Sequence, residues 1–483
     1  MKKLSIFEAV SDHIANRLCA GARWARWYTI TDLENKNNVQ SRSQWSMLEG
    51  IEAIKLLPAA RPISGTLTIP GSKSLTNRAI IIAAAAQGTS SLHGILRSDD
   101  SYWCIEALKK LGVHIEDDGH NINITGRQHW QAPLEPLFIG SAGTTGRFLT
   151  SLIALSTDVA IQITASAQLS QRPMQALFDA LITLGANIRY DGEPGCFPVT
   201  ISPKSKHGAS MVKLSGSKSS QFISGLLIAA PALGRPLDII VTDGIVQSDY
   251  VRVTLDVMKK FGVTVNASPS LDCFSVAAAH YRAANFTIEA DASTATYFLA
   301  LAAVTGGSIT ITNLRLDSLQ PDIKFIDVLK QMGCIVNVTA QGMTLNGPAQ
   351  LRGGFNMNMR AFSDAALTLA AIAPFADAPI EISGVEHIRL HESDRLKVMA
   401  QSLLELRIAV EEKADGLVIT PGKPAMRRLA THDDHRVAMS LAVLGVAGSG
   451  IELTDPGCVS KTCPNFFAEL AKLGVEMEDR EKL

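Results

Sequence analysis

The sequence is poor in charge, and this excludes several classes of protein. Only 19% of its 483 residues are charged, and 45 basic and 46 acidic side chains leave a net charge of −1. A balanced charge gives no global attraction to nucleic acid or to an anionic membrane. Because apolar residues make up 46% of the chain, a disordered protein is also excluded. We therefore expect no nucleic-acid partner, and any anion site must be built locally.

Long apolar runs and paired cysteines are missing too. No stretch approaches the roughly 20 apolar residues of a membrane span, and Glu8 and Asp12 interrupt any signal-peptide core near the amino terminus. The seven cysteines form no CxxC pair and no zinc-type spacing with histidine, which is typical of reduced core thiols. We expect a cytoplasmic protein without membrane association and without a bound metal.

What the sequence does contain is one unit repeated six times. Six segments begin with small or polar residues and continue into an Ala-, Leu- and Ile-rich stretch of helical length. A unit of this size predicts a βαβαββ-like fold of the α/β class. Six units exceed one core, so we expect two domains of three units each. The segments start about 70 to 75 residues apart, at Gly71, Ser141, Gly216, Asp291, Ser363 and Asp433.

Each unit also contains an amphipathic helix followed by an alternating strand. In five units this helix ends at a glycine, which suits the left-handed backbone that closes a helix. Arg407 takes the place of the glycine in the fifth unit. We expect the apolar helices inside each domain and the amphipathic helices outside them. The glycines are Gly112, Gly185, Gly262, Gly333 and Gly474.

Cationic side chains gather at the starts of these helices. A helix start offers free N–H groups and the positive end of the dipole, so it attracts anions. A cation there costs a few tenths of a kcal/mol (roughly), so its repeated use favours anionic ligands. Serine and aspartate at such places also fit ordinary N-caps, and Ser141, Asp291 and Asp364 fit that interpretation well. The cations are Lys73, Arg78, Arg147, Arg172, Arg395, Arg436 and Lys461.

Seven motifs resemble those of the EPSP synthase family of enolpyruvyl transferases. The resemblance covers residues 53–483 in unbroken order and implies the family's inverse α/β barrel fold. It implies one domain of residues 53–70 with 290–483 and a second of residues 71–289. The motifs are GSKSLTNRA from Gly71, AGTTGR from Ala142, KSSQF from Lys218, QPDI from Gln320, HESDR from His391, DDHRVAM from Asp433 and DPGCVSKT from Asp455.

Residues 1–52 stand outside the repeats as an extension of uncertain order. They include three tryptophans but have no clear period, and Met47 comes just before the first regular strand. We expect residues 1–46 to be dispensable, with Met47 as an alternative start.

The resemblance implies a transferase that needs no cofactor. Its family transfers the enolpyruvyl group of phosphoenolpyruvate to the 5-hydroxyl of shikimate 3-phosphate and releases phosphate. This step belongs to the shikimate pathway, which leads to chorismate and the aromatic amino acids. Both substrates are strongly anionic, so the site must supply many fixed donors. We expect these two small molecules as partners of a monomeric protein.

The family's residue roles carry over to matching positions. Glu392 is implied as the acid that protonates C3 of phosphoenolpyruvate, and Asp322 as the base at the acceptor hydroxyl, with Lys73 assisting proton transfer. The residues implied for phosphoenolpyruvate are Lys73, Gly143, Arg172, Gln221, Arg395, Arg436 and Lys461. The residues implied for shikimate 3-phosphate are Ser74, Arg78, Ser219, Ser220, Gln221, Tyr250, Asp322, Arg360 and His391.

Three positions depart from the family pattern, all on the acceptor side. His391 replaces a usual lysine, Gln247 a usual serine and Arg360 a usual asparagine. Either Arg360 replaces the charge lost at His391, which is largely neutral at pH 7, or the acceptor is different. Two alternatives stay open: an enolpyruvyl transferase for a UDP-sugar and a non-catalytic anion-binding relative. The first is disfavoured because residues 165–171 lack that relative's reactive cysteine, and the second because the acid–base pair is intact.

Overall fold

The computed structural model describes residues 41–48, 50–205 and 208–481. These residues form six four-stranded sheets with one common topology. In each sheet one edge strand pairs in parallel with its neighbour, and the other two strand pairs are antiparallel. Three of the sheets consist of four strands that are consecutive in the chain, and their order is 1-2-4-3. In these three sheets, helices connect the first strand to the second and the second to the third. The predicted α/β class and six-unit architecture are therefore confirmed.

The elements are short, as expected for units of about 70 residues. The strands are β1 (Ile51–Leu56), β2 (Gly65–Leu67), β3 (Thr89–His93), β4 (His114–Asp117), β5 (Asn121–Thr125), β6 (Leu137–Phe138), β7 (Ile161–Thr164), β8 (Asn187–Tyr190), β9 (Val199–Ser202), β10 (Met211–Gly216), β11 (Leu237–Ile245), β12 (Val265–Ala267), β13 (Cys273–Val276), β14 (Asn285–Thr287), β15 (Ser308–Ile311), β16 (Ile335–Thr339), β17 (Gly342–Asn346), β18 (Phe355–Asn358), β19 (Ile380–Ser383), β20 (Val410–Lys413), β21 (Gly416–Ile419), β22 (Arg428–Ala430), β23 (Ile451–Thr454) and β24 (Met477–Glu481).

The helices alternate with these strands. The α-helices are α1 (Lys73–Ala85), α2 (Asp99–Lys110), α3 (Gly143–Ser156), α4 (Ala167–Ser170), α5 (Gln175–Thr183), α6 (Ser220–Ala229), α7 (Asp249–Lys260), α8 (Ala292–Thr305), α9 (Phe325–Gln331), α10 (Ala366–Ile372), α11 (Arg395–Glu405), α12 (His435–Ala447) and α13 (Phe466–Lys472). Short 3-10 helices cover Ala230–Leu233, Pro321–Lys324, Ser363–Ala365, Ala373–Phe375, Glu386–Leu390 and Pro456–Lys461.

The chain passes twice between two halves of the molecule. β1 pairs with β23 and β24, and β2 pairs with β15, so the first strands join the carboxyl-terminal half. β14 returns to pair with β3. One hydrophobic core contains residues 54–69 and 290–475, and the other contains residues 75–288. We propose these halves as two domains: domain one is residues 53–70 with 290–483, and domain two is residues 71–289.

The Ala-rich helices lie at the centre of each half. α1, α3 and α6 pack together in domain two, and α8, α10 and α12 pack together in domain one. Most of their side chains are buried because these helices are apolar on every face. The starts of α1, α3, α6 and α12 line a cleft between the domains. Within the described ranges, no helix is long and apolar enough to cross a membrane.

Candidate active site

The interdomain cleft collects most of the residues predicted for the site. Domain two contributes the starts of its apolar helices, and domain one contributes residues between 364 and 436. The predicted residues that line the cleft are Lys73, Ser74, Arg78, Gly143, Arg172, Ser219, Ser220, Gln221, Tyr250, His391, Glu392, Arg395 and Arg436.

Glu392 lies at the centre of the cationic part of the cleft. One carboxylate oxygen lies 2.7 Å from Arg395 Nη2, and the other lies 3.3 Å from Lys461 Nζ and 3.6 Å from Arg172 Nη1. Lys461 also donates to the carbonyl oxygen of Ser141, 2.9 Å away in the other domain. Cations from both domains therefore converge on a single carboxylate.

The charge state of Glu392 follows from two opposing effects. Burial would raise its pKa, but Lys461, Arg395 and Arg172 together outweigh burial and hold the pKa well below the usual range. The sequence leaves this competition open, and the structure resolves it in favour of the cations. Glu392 is therefore ionised when the cleft contains no other anion.

Lys73 and Gly143 of domain two also line the cleft. Burial lowers the pKa of Lys73, although Asp100, whose carboxylate lies 3.7 Å from Lys73 Nζ, opposes the shift. A Cβ atom on Gly143 would lie 3.0 Å from Arg172 Nη1 and 3.2 Å from Arg147 Nη1. Any side chain at Gly143 would therefore take up space beside two guanidinium groups that face the cleft.

Asp364 is a site residue that the N-cap interpretation of the sequence misses. Its side chain caps no helix. One carboxylate oxygen lies 2.8 Å from Arg436 Nη2, and the other lies 3.2 Å from Arg395 Nη1. Burial opposes its ionisation, but Arg436 and Arg395 outweigh burial and lower the pKa of Asp364. In contrast, Asp291 is a true N-cap and accepts from Thr294 N at 2.7 Å.

Asp322, the predicted base, is not among the residues that line the cleft. It is 2% exposed and accepts a hydrogen bond from Ser293. Burial and the nearby Asp364 raise the pKa of Asp322 to about 7. The Tyr250 hydroxyl lies 3.4 Å from Asp322 and 3.3 Å from Asp364, so it bridges the two carboxylates.

Two predicted acceptor residues have positions that the sequence does not reveal. Arg360 lies outside the cleft, where its half-exposed guanidinium pairs with Glu386. Arg78 borders the cleft, but its guanidinium group forms hydrogen bonds inside the protein. Nε donates to Thr254 at 2.8 Å, and Nη1 donates to the Ser74 carbonyl at 3.0 Å. Arg78 therefore holds α1 against α7.

Two histidines, and not Arg360, line the cleft near residue 391. His387 and His391 both line the cleft, with ring centroids 5.8 Å apart. His391 Nδ1 lies 3.0 Å from Arg395 Nη1. Burial, followed by the proximity of Arg395, holds the pKa of His391 well below its usual value. The lost positive charge at residue 391 is therefore not replaced by Arg360 in this structure.

Comparison with known proteins shows the family of the chain. Residues 58–470 match the family model of EPSP synthase (3-phosphoshikimate 1-carboxyvinyltransferase). The chain belongs to the EPSP synthase family. It is 47% identical over 440 residues to 3-phosphoshikimate 1-carboxyvinyltransferase 2 of Halalkalibacterium halodurans, covering 90% of this chain and 98% of that one. It is 38% identical over 426 residues to the Nostoc punctiforme 3-phosphoshikimate 1-carboxyvinyltransferase, covering 88% and 99%.

Two solved structures have the same fold as this chain. The EPSP synthase of Acinetobacter baumannii superposes with a TM-score of 0.75 at 26% identity, covering 89% of this chain and all of that one. The enolpyruvyl transferase NikO of Streptomyces tendae superposes with a TM-score of 0.68 at 15% identity, covering 90% of this chain and all of that one. The second likeness shows the fold alone. The predicted enolpyruvyl transferase fold is confirmed.

Proposed function

We propose that the cleft transfers the enolpyruvyl group of phosphoenolpyruvate to the 5-hydroxyl of shikimate 3-phosphate and releases phosphate, the reaction of the family. The observation that carries this proposal is the convergence of cations from both domains on Glu392. C3 of phosphoenolpyruvate gains a proton, and the hydroxyl oxygen adds to C2 while a base removes the hydroxyl proton. The tetrahedral adduct then loses phosphate together with a proton from C3, which restores the C2–C3 double bond. Such a cluster stabilises anionic groups because it is fixed and largely shielded from water.

Phosphoenolpyruvate takes the place beside Glu392 in this proposal. Arginine forks suit its carboxylate and phosphate because they donate two parallel hydrogen bonds to each. The absence of a side chain at Gly143 leaves room for one of these groups next to Arg172. The proposed contacts are Lys73, Gly143, Arg172, Gln221, Arg395, Arg436 and Lys461.

Glu392 is the proposed acid at C3. Its low pKa in the unliganded cleft comes from cations that phosphoenolpyruvate would neutralise. Binding of the substrate therefore raises the pKa of Glu392 and allows it to carry the proton that it delivers. Lys73, whose pKa burial lowers, is the proposed group that restores that proton.

The proposed base is a carboxylate pair rather than Asp322 alone. Asp364 lines the cleft, whereas Asp322 is one layer behind it and is joined to Asp364 through Tyr250. A base must lie within hydrogen-bond reach of the proton it removes, which favours Asp364 as the group that meets the hydroxyl. Asp322 then serves as a second proton site.

The acceptor phosphate faces the starts of α1 and α6. Free N–H groups at a helix start bind phosphate, and the hydroxyl groups of serines there add further donors. Ser219 also fixes the start of α6 by accepting from Gln221 N at 3.2 Å. We leave three expected residues out of this subsite: Arg360 and Asp322 do not line the cleft, and Arg78 donates to partners inside the protein. The proposed residues are Ser74, Ser219, Ser220, Gln221, Tyr250 and His391.

Release of phosphate from phosphoenolpyruvate tests the proposal. The protein is offered shikimate 3-phosphate or UDP-N-acetylglucosamine in separate assays. We expect release with shikimate 3-phosphate only, and its loss in Glu392→Gln. Release with the UDP-sugar alone would show the rival transferase, and release with neither would contradict the proposal. The cytoplasmic location and the monomeric state stay predictions from the sequence.

A further inference from the structure

Residues 41–46, which we call the strap, lie ahead of the family match and bind domain two. The carbonyl oxygen of Ser41 accepts from Trp103 Nε1 at 2.8 Å. Asp99 accepts from Ser43 N at 2.9 Å, from Ser43 Oγ at 2.6 Å and from Ser46 Oγ at 2.8 Å. The strap is therefore fixed to α2 by hydrogen bonds that the repeats alone do not predict.

Arg42 extends from the strap to domain one. Its Nη2 atom lies 2.8 Å from Asp433 Oδ1 and 2.9 Å from Asp455 Oδ2, and Nη1 lies 3.9 Å from Asp99 Oδ2 in domain two. The Arg42 side chain is only 17% exposed. Both aspartates in domain one have a left-handed backbone, with φ of 52° and 47°. Arg42 thus joins carboxylates of both domains.

The residues that Arg42 contacts adjoin the proposed phosphoenolpyruvate cations. Asp433 precedes Asp434, which accepts from Arg395 Nε at 2.8 Å. Gln168, from domain two, donates to the carbonyl oxygen of Asp433 at 3.4 Å. Asp99 precedes Asp100, the partner of Lys73. Arg42 itself does not line the cleft. Its partners Asp433 and Asp99 are each one residue away from an aspartate that pairs with a cation of the site, so a change at Arg42 affects the site indirectly.

We propose that the strap holds the two domains closed around phosphoenolpyruvate, with Arg42 as a positioning residue. This inference rests on the proposed function for its kinetic consequence. If only the closed form binds phosphoenolpyruvate tightly, the apparent affinity falls in proportion to the closed fraction. Saturating substrates restore closure, so kcat is preserved. This proposal contrasts with the expectation that residues 1–46 are dispensable. Residues 1–40 of that segment lie outside the described residues.

The test compares Arg42→Ala, Asp455→Asn and a protein that starts at Met47 with the full chain. Arg315→Ala is the matched control because Arg315 forms an exposed ion pair with Asp317. We expect KM for phosphoenolpyruvate to rise about tenfold in the three strap variants, with kcat within about twofold. Arg42→Lys keeps one charge and is expected to rise less, since lysine cannot contact two carboxylates as a fork. Arg315→Ala is expected to match the full chain.

Small-angle scattering measures closure without turnover. We expect a larger radius of gyration for unliganded Arg42→Ala than for the full chain, and equal values once both substrates are added. Equal unliganded profiles with unchanged KM would overturn the strap proposal, as would a fall in kcat at constant KM. If the full chain itself lacks activity, the proposed function fails, and the scattering comparison still judges the strap.

Discussion

At the scale of single residues, the site depends on two opposing effects on the pKa values of Glu392 and Asp364: burial and the charge of nearby cations. Both carboxylates are buried among guanidinium groups that outweigh the cost of burial, so the pKa of each is lowered. In the unliganded cleft they act as counter-ions of the cations that we assign to substrate. An anionic ligand must displace them, and the displaced carboxylates become better proton acceptors.

Glu392→Gln tests this exchange through proton uptake. We expect the protein to take up protons when it binds phosphoenolpyruvate, because the arriving charge raises the pKa of Glu392. Calorimetry in buffers of different ionisation enthalpy measures the uptake. Glu392→Gln should take up fewer protons, whereas Glu405→Gln on the exposed surface of α11 should match the unmodified protein. Equal uptake in all three proteins would remove Glu392 from the proton path.

Asp364→Asn and Asp322→Asn separate the two candidate bases. We expect Asp364→Asn to lower kcat by about 10²- to 10⁴-fold, the usual contribution of a general base, and Asp322→Asn to lower it less. The pH profile gives a second distinction. If Asp322 removes the proton, kcat falls as the pH drops below about 7, because its carboxylate becomes protonated there. A base at Asp364 keeps its charge to lower pH.

Asp364 and Asp322 as the base thus predict different kinetic results. A greater loss in Asp322→Asn, together with a decline of kcat below pH 7, would restore Asp322 as the base. The family resemblance implies Asp322 as the base, whereas Asp364 stands at a helix start and was interpreted as an ordinary cap. Which aspartate faces a cleft depends on side-chain direction, and no local pattern encodes it.

At the scale of elements, the repeats make most of the fold readable from the sequence. All five predicted glycines have a left-handed backbone two residues beyond the end of their helix, with φ between 83° and 102°. Arg407 occupies the same place after α11 with φ of 65°. The fifth unit therefore keeps the geometry of the others despite its different residue. Periodicity and helix-ending glycines are local signals, which is why these elements could be predicted.

Arg407→Gly tests the cost of this exception. A non-glycine residue in the left-handed region costs about 1 kcal/mol, part of which the greater freedom of glycine in the unfolded chain offsets. Arg407 is exposed, so little packing is lost on its removal. We expect the free energy of unfolding, measured with urea, to rise by roughly 0.5 to 1 kcal/mol. Arg407→Ala, which keeps the unfavourable φ, should give no gain; a gain of the same size would contradict this explanation.

At the scale of the whole molecule, the two domains meet through contacts that no local pattern predicts. Asp291, the cap of α8 in domain one, also accepts from Lys73 N at 3.0 Å in domain two. Gln168 donates to the Glu392 carbonyl at 3.1 Å across the same cleft. The sequence predicts which helix starts carry charge, but their pairing depends on how six units close into two domains. Arg360 was misplaced for a more local reason, because its side chain pairs with Glu386 of the same domain outside the cleft.

The central claim is that cations of both domains bind phosphoenolpyruvate together. A crystal structure of Glu392→Gln with phosphoenolpyruvate and shikimate 3-phosphate tests it most directly, because this variant should bind both substrates without turnover. We predict phosphoenolpyruvate between Lys73 and Arg172 of domain two and Arg395, Arg436 and Lys461 of domain one. Phosphoenolpyruvate contacted by one domain alone, or bound outside this cleft, would contradict the account.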